Sequence, residues 1–177
     1  DFDALIRFPW TVYREHPLWV PPLLSMLREH YDRAHSPAWE FLDGEFFIAW
    51  RGDQPVGTIA AFTNQRHNEY WDEHMGFFGA FEVLNDTEAA HALLDTAAEY
   101  LAGTGCRAVR GPFTFSTNGE CGILVDGFDD PPVVMYTYTP PYYPALLESA
   151  PGFAQVMDLY AYRITFEGAM QAEKLAK

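Results

Sequence analysis

Basic residues are scarce in this sequence. Its 177 residues include 25 Asp and Glu but only 11 Lys and Arg, and the only lysines are Lys174 and Lys177, so the formal net charge is −14. A surface field of this sign repels phosphate backbones and anionic lipids. We therefore expect neither a nucleic-acid partner nor binding to an anionic membrane surface.

Cysteines and long apolar runs are also lacking. Cys106 and Cys121 are the only cysteines, too few to form the disulfide framework of a secreted protein. No stretch has the pattern of a signal peptide or a membrane span. These absences predict a cytoplasmic protein without membrane insertion.

Signatures of metal and phosphate sites are missing as well. The pairs His30/His35 and His67/His74 lack further ligands at metal-binding intervals. The sequence contains no Gly-rich phosphate loop and no Ser-His-Asp signal. We predict no metal cofactor.

What is present is typical of a folded globular protein, with 49% hydrophobic and 16% aromatic residues. A length of 177 residues predicts one domain spanning residues 1–177. The sequence starts at Asp1 inside an apolar-periodic segment and stops at Lys177 inside a helix-forming run. We expect a longer protein, with a first strand before Asp1 and further polypeptide, with room for another domain, after Lys177.

Hydrophobic spacing predicts two helices near the start, over residues 3–14 and 23–34. Pro9 should kink or end the first of them. Two apolar runs rich in β-favouring residues then follow, at 46–50 and 56–62, and turn-forming residues separate them. This pattern predicts a hairpin.

A nearly continuous apolar run at 76–84 predicts a central strand. Asp86 or Thr87 can cap the helix after it, which should stop near residue 103, and a short strand at 106–111 completes a strand-helix-strand unit. Further along, the sequence predicts a long functional loop over residues 112–132 and a strand over 133–138. A short helix over 142–149 and a strand over 153–166 follow.

This element order resembles the GNAT superfamily of acyl-coenzyme A N-acyltransferases. The hairpin segment 47–60 looks like the second and third strands of that superfamily, and the Gly152-Phe153 pair after residues 147–151 looks like its last helix turning into a strand. Short motifs around Phe8-Pro9-Trp10 and Gly111-Pro112-Phe113 further resemble a poorly characterised bacterial branch. The resemblance implies an α/β (α+β) fold whose twisted, mostly antiparallel mixed sheet has helices on both faces.

The resemblance also implies an acyl-coenzyme A co-substrate, either acetyl-coenzyme A or a longer acyl form. Pantetheine would run along the central strand, and pyrophosphate would bind the backbone N–H groups of the turn that opens the next helix. The cofactor-binding residues implied here are Phe81, Val83, Asn85, Thr87 and Ala89. This turn has no glycine, and the carboxyl groups of Asp86 and Glu88 compete with pyrophosphate for the same helix end.

Amine acylation needs a base for the attacking amine and an acid for the leaving thiolate. Glu82 is the preferred base, because it is a carboxyl group in an apolar run on the strand where several GNAT enzymes carry one. The alternative is a strand-end glutamate that reaches solvent or pairs with an arginine. Among Tyr138, Tyr142 and Tyr143, which flank the segment where these enzymes often place a tyrosine, Tyr143 is the preferred acid; core-edge packing is the alternative.

Substrate contacts are predicted from polar residues next to the apolar strands. Asn64 and His67 follow the third strand of the superfamily pattern, and Asn118 and Glu120 lie in the long loop. The expected function is transfer of an acyl group from acyl-coenzyme A to a small-molecule amine, and the negative field favours a cationic amine. The alternative is a non-catalytic GNAT-like domain that binds a ligand or another domain.

Overall fold

The computed structural model describes residues 1–133 and 136–162. The sheet has four strands in the order β1 (Leu42–Arg51), β2 (Gln54–Asn64), β3 (Met75–Val83) and β4 (Ala108–Arg110). The first three strands pair antiparallel, and β4 pairs parallel with β3. The expected mixed, mostly antiparallel sheet is therefore confirmed.

Helices precede the sheet, as the hydrophobic spacing predicted. The first helical segment divides at proline into α1 (Phe2–Arg7) and α2 (Pro9–Val12), because proline fits the first turn of a new helix but not the interior of an existing one. α3 (Leu24–Tyr31) is shorter than the predicted range 23–34 and ends at Asp32, whose backbone is extended. A short 3-10 helix (Pro37–Glu40) then leads into β1.

The sheet has an apolar core on each face. Along β2, Ile59 and Ala61 pack into one core with Leu93 and Leu94, whereas Phe62 packs into the other with residues of α1 and α3. Successive strand residues point to opposite faces, so both faces of β2 are covered by helices. The prediction of helices on both faces is confirmed.

Two helices follow β2 and β3. α4 (Gln65–Trp71), which the sequence analysis did not predict, begins where the Asn64 side chain accepts a hydrogen bond from the His67 N–H at 3.0 Å. α5 (Thr87–Gly103) confirms the predicted capped helix, since the Asp86 side chain accepts from the Ala89 N–H at 3.1 Å. The parallel β3-α5-β4 crossover is also confirmed.

The last part of the chain departs from the predicted pattern. α6 (Tyr143–Glu148) confirms the short helix, but residues 133, 136–138 and 153–162 form no strand. Residues 134, 135 and 163–166 of the two predicted strands lie outside the described residues. Residues 153–162 have the composition of a strand, yet Val156, Leu159 and Tyr162 are each at least 69% exposed. An extended segment that has no neighbouring strand to pair with gains no inter-strand hydrogen bonds, so composition alone does not make it a strand.

No helix among residues 1–133 and 136–162 is both long and apolar enough to cross a membrane.

Candidate active site

A β-bulge shapes the C-terminal half of β3. Thr58 pairs with Glu82 and Ala60 pairs with Gly79, so two residues of β3 lie opposite the single residue Ile59. Ala80, one of these two, has a φ of 45°, and its carbonyl accepts a hydrogen bond from the Thr58 hydroxyl at 3.1 Å. A bulge changes which face the following side chains point to. The bulge therefore determines where Glu82 points.

Glu82 lies immediately after the bulge, held between two tyrosines. The Tyr143 hydroxyl donates to its Oε2 at 2.7 Å, and the Tyr13 hydroxyl donates to its Oε1 at 3.4 Å. Burial raises the pKa of Glu82 to about 8, and the negative charge of Glu120 adds to this effect while the tyrosine hydrogen bonds oppose it. A carboxyl group with such a pKa is mostly protonated at pH 7, and its ionised fraction, which grows as the pH rises toward 8, can accept a proton.

Tyr143 is fully buried, and its hydroxyl makes two hydrogen bonds inside the protein. It donates to Glu82 and accepts from the Val83 N–H at 2.9 Å. Burial and the charge of Glu82 hold the Tyr143 pKa well above its ordinary value. In the structure this hydroxyl orients Glu82, and the role of Tyr143 as the acid for a leaving thiolate stays a prediction.

A strap of residues 112–123 packs against the middle of β3, at Phe78 and Gly79, and carries Glu120. The Phe113 N–H donates to the Phe78 carbonyl at 3.0 Å, and the Thr114 N–H donates to the Glu120 carbonyl at 2.9 Å. Gly79 allows this approach, since a Cβ atom there would lie 2.0 Å from the Phe113 carbonyl oxygen. Residues 112–123 of the predicted loop 112–132 are thus held against the bulged strand by backbone hydrogen bonds.

The strap, the bulge, the segment after α2 and residues 132–133 and 136–139 line an open cavity of about 340 Å³. Glu82 and Glu120 both contribute to its walls. The other walls are mainly aromatic rings and prolines: Tyr13, Trp19, Pro21, Pro22, Tyr31, Phe81, Pro112, Phe113, Pro132, Tyr136 and Tyr138. The structure therefore brings together the predicted base and one predicted substrate-binding residue in a concave, mostly apolar site.

Three of the predicted substrate-binding residues lie elsewhere. Asn64 caps α4, and His67 packs edge-on against Phe77, with ring centroids 4.9 Å apart, and contacts Glu73 at 3.2 Å. Asn118 is exposed, with its N–H bonded to the Ser116 hydroxyl. None of the three contributes to the cavity wall, so they are placed as structural or surface residues, and their substrate role stays a prediction.

The turn that opens α5 carries two carboxylates at the helix N-terminus. The Asp86 carboxylate occupies the Ala89 N–H, while Asn85 and Thr87 are exposed. Arg51 bridges this carboxylate to Glu88, with distances of 2.8 and 2.9 Å. A phosphate at this turn would therefore compete with the Asp86 carboxylate for the Ala89 N–H, and with two carboxylates for Arg51.

The edge of β3 that would receive pantetheine is also occupied. The Val83 N–H donates to the Tyr143 hydroxyl, and the Val83 carbonyl accepts from the Tyr142 hydroxyl at 2.9 Å. Both backbone groups of Val83 are therefore satisfied by the start of α6. Of the predicted cofactor residues, only Phe81 lines the cavity.

Sequence reasoning missed two residues: Tyr13, whose hydroxyl contacts Glu82, and Arg51, which pairs with the carboxylates at the start of α5. Tyr13 is separated from Glu82 by 69 positions, and Arg51 from Asp86 by 35. Nothing local to either residue marks the contact, because both contacts depend on how the helices and the hairpin are placed around β3.

Among the described residues, no group of three or more His, Cys, Asp or Glu side chains could hold a metal ion.

This chain is similar to two curated bacterial proteins. It is 33% identical over 162 residues, 92% of the chain, to Protein YghO of Escherichia coli (strain K12). It is 30% identical over 164 residues, again 92% of the chain, to the Bacterial ceramide synthase of Caulobacter vibrioides (strain NA1000 / CB15N). These matches cover 41% and 42% of the two proteins, so the chain spans about two fifths of the length of the curated relatives it matches.

No protein-family model matches the chain. No solved structure matches it at a significant level.

Proposed function

We propose that this chain forms the amine-acylating site of a GNAT-like N-acyltransferase, with Glu82 as the general base. The observation that carries this proposal is the position of Glu82: a carboxyl group with a pKa of about 8 stands on a cavity wall, directly after a bulge, and two tyrosines orient it. A base of this pKa suits an amine acceptor, which attacks only after losing a proton. The relative named Bacterial ceramide synthase adds support, because ceramides contain an amide bond formed by acyl transfer to an amine.

The reaction follows from the placement of this carboxylate. Ionised Glu82 accepts a proton from the acceptor ammonium or from the amine nitrogen as it attacks. The nitrogen lone pair forms a bond to the carbonyl carbon of the acyl thioester, and the carbon–sulfur bond breaks. The thiolate takes up the proton that the nitrogen loses after attack, directly or by way of Glu82, so the products are an amide and a free thiol. A proton taken from an ammonium before attack passes from Glu82 to solvent.

The mouth of the cavity favours an acceptor with an apolar chain. Three residues at the mouth are strongly exposed and apolar or aromatic: Val20 is 72% exposed, Val133 is 55% and Tyr136 is 53%. An exposed apolar rim around a pocket is a common feature of lipid-like ligand sites. A long-chain amine would place its head group next to Glu82 and its chain on this rim, which agrees with the name of the second relative.

The donor is proposed only as an acyl thioester. Coenzyme A is the donor that the resemblance implies, but the closed α5 turn and the occupied Val83 edge do not fit its pyrophosphate and pantetheine. The proposed chemistry therefore relies on this chain for the base and the amine site. It assigns no residue of the chain to the nucleotide.

The test is a Glu82→Gln variant assayed for acylation of a long-chain primary amine. Glutamine keeps the size and the hydrogen-bond acceptor for Tyr143 but cannot take up the proton, so turnover at neutral pH should fall by on the order of a hundredfold or more. Glu99→Gln is the matched control, since Glu99 is exposed on α5 and outside the cavity. Equal turnover in the two variants would remove Glu82 from the mechanism.

A non-catalytic ligand-binding domain is the second candidate. The closed α5 turn favours it, because an acyltransferase of this fold family normally keeps that turn open for its donor. Measured acylation that depends on Glu82 supports the first candidate. Amine binding to the cavity without any acylation would instead support the second.

A further inference from the structure

Glu120 is a second carboxyl group in the cavity, and the proposed chemistry gives it no role. Its backbone is fixed, since its carbonyl accepts from the Thr114 N–H and the next residue, Cys121, forms a β-bridge with Phe113. Within residues 1–133 and 136–162, no side chain pairs with or donates to its carboxylate. The strap therefore places Glu120, an exposed residue, on the cavity wall, and its carboxylate has no partner among the described residues.

The charge balance of the cavity favours a cation. Its described lining includes Glu82 and Glu120 but no Lys, Arg or His. The net charge of the chain is −14, so the surrounding field has the same sign. An anionic ligand would be repelled, whereas an ammonium group would neutralise part of this charge.

Aromatic rings complete the surroundings that a cation prefers. Tyr13 and Trp19 stack with ring centroids 4.6 Å apart, and Tyr138 lies 6.4 Å from Tyr13. These three rings and Tyr31 all line the cavity. The face of an aromatic ring attracts an ammonium group, and this attraction is stronger where water is partly excluded.

We propose that Glu120 and the rings of Tyr13, Trp19 and Tyr31 form the ammonium-binding subsite of this cavity, and that Glu120 selects protonated amines over uncharged acceptors. This inference rests on the proposed function for its substrate class. The two carboxyl groups then have different roles: Glu120 binds the incoming ammonium group, and Glu82 removes a proton from it. Glu120 is a specificity residue in this scheme, since the proton goes to Glu82.

Binding can be measured without any reaction. We would titrate octylammonium, and 1-octanol as its uncharged counterpart, into the parent protein and into Glu120→Gln by isothermal calorimetry. The variant should lose about tenfold or more in affinity for octylammonium and stay within about twofold for octanol. Glu120→Asp, which keeps the charge on a shorter side chain, should recover part of the loss, and Glu99→Gln should match the parent.

Kinetics separate this role from a purely structural one. With an amine substrate, Glu120→Gln should raise KM about tenfold while kcat stays within a few-fold. The acid limb of the kcat/KM profile should also move to lower pH, because the negative charge of Glu120 helps to raise the pKa of Glu82.

The outcomes distinguish the two proposals. Unchanged octylammonium affinity in Glu120→Gln, or an equal loss of octanol affinity, would overturn the ammonium subsite even if Glu82 proved essential for acylation. If octylammonium binding depends on Glu120 and no amine is acylated, the subsite is supported and the acyltransferase proposal fails.

Discussion

Glu82 is a carboxyl group whose surroundings oppose its ionisation. It lies between buried Phe81 and Val83 on an apolar strand, and its two oxygens contact tyrosine hydroxyls rather than a cation. Desolvation is the largest contribution to its raised pKa. The fold therefore keeps this group protonated at pH values where it is ionised in the unfolded chain.

This difference predicts a pH dependence of stability. The folded pKa of about 8 lies above the ordinary value of 4.5, so between these pH values the folded state binds more protons than the unfolded state. The contribution of Glu82 to the free energy of unfolding should then fall as pH rises through this window, by on the order of a few kcal/mol in total. Urea denaturation of the parent at several pH values from about 5 to about 8.5 measures it.

Glu82→Gln supplies the comparison, since glutamine does not titrate. The difference in unfolding free energy between the variant and the parent should grow in favour of the variant as pH rises. Glu99→Gln should follow the parent throughout. Parallel curves for the parent and Glu82→Gln would show that the carboxyl group ionises with an ordinary pKa in the folded protein.

At the scale of elements, α5 begins with an internal ion network instead of an open anion site. Asp86 caps the helix, and Arg51, from the end of β1, reaches both Asp86 and Glu88. The Arg51 side chain is exposed, so its ion pairs contribute little to stability. They also hold two carboxylates and an already paired arginine at the helix N-terminus, where a phosphate would meet negative charge.

Asp86→Asn together with Glu88→Gln should open this site. Asparagine still caps the helix, the two repelling charges are gone, and Arg51 is released to face the helix N-terminus. Affinity for coenzyme A should rise by roughly a kcal/mol or more, which is about five- to tenfold by calorimetry. The matched control is Asp95→Asn with Glu99→Gln, the same change of charge on exposed positions further along α5, which should leave the affinity unaltered.

The opposite result would be equally informative. If the parent already binds coenzyme A with micromolar affinity and the double variant binds it more weakly, the carboxylates help to shape a donor site. The turn that opens α5 would then be part of the donor site, and coenzyme A would be the acyl donor of the proposed reaction.

At the scale of the whole molecule, a net charge of −14 surrounds a cavity with two carboxyl groups. Such a field raises the encounter rate of a cation and is screened by salt. For a protonated amine acceptor, kcat/KM should fall several-fold as salt rises from about 20 mM to about 300 mM, mostly through the association rate. Stopped-flow binding over this range measures the rate directly, and the uncharged octanol control should show almost no salt dependence.

Local sequence patterns were sufficient for much of the fold. The hairpin, the central strand, the helix capped by Asp86 and the break at Pro9 depend on side-chain periodicity and turn chemistry within a few residues, and all were confirmed. α4 was not predicted, because none of its residues is buried and its sequence therefore has no apolar periodicity to mark a helix. The predicted strand over 153–166 depended on β propensity, which needs a pairing partner that the described residues 153–162 do not have.

For the site, the sequence by itself determined that Glu82 would be an isolated carboxyl group on an apolar strand and that α5 would begin with a side-chain cap, from Asp86 or Thr87. Only the tertiary structure decided what surrounds them. The bulge at Ala80, the Tyr13 and Tyr143 hydroxyls, the Arg51 bridge and the approach of Glu120 all depend on pairs of segments distant in the chain. Local sequence propensity determines which residues form a helix or a strand, but not which other segments pack against it. The raised pKa of Glu82 and the ion pairs at the start of α5 therefore follow from tertiary packing.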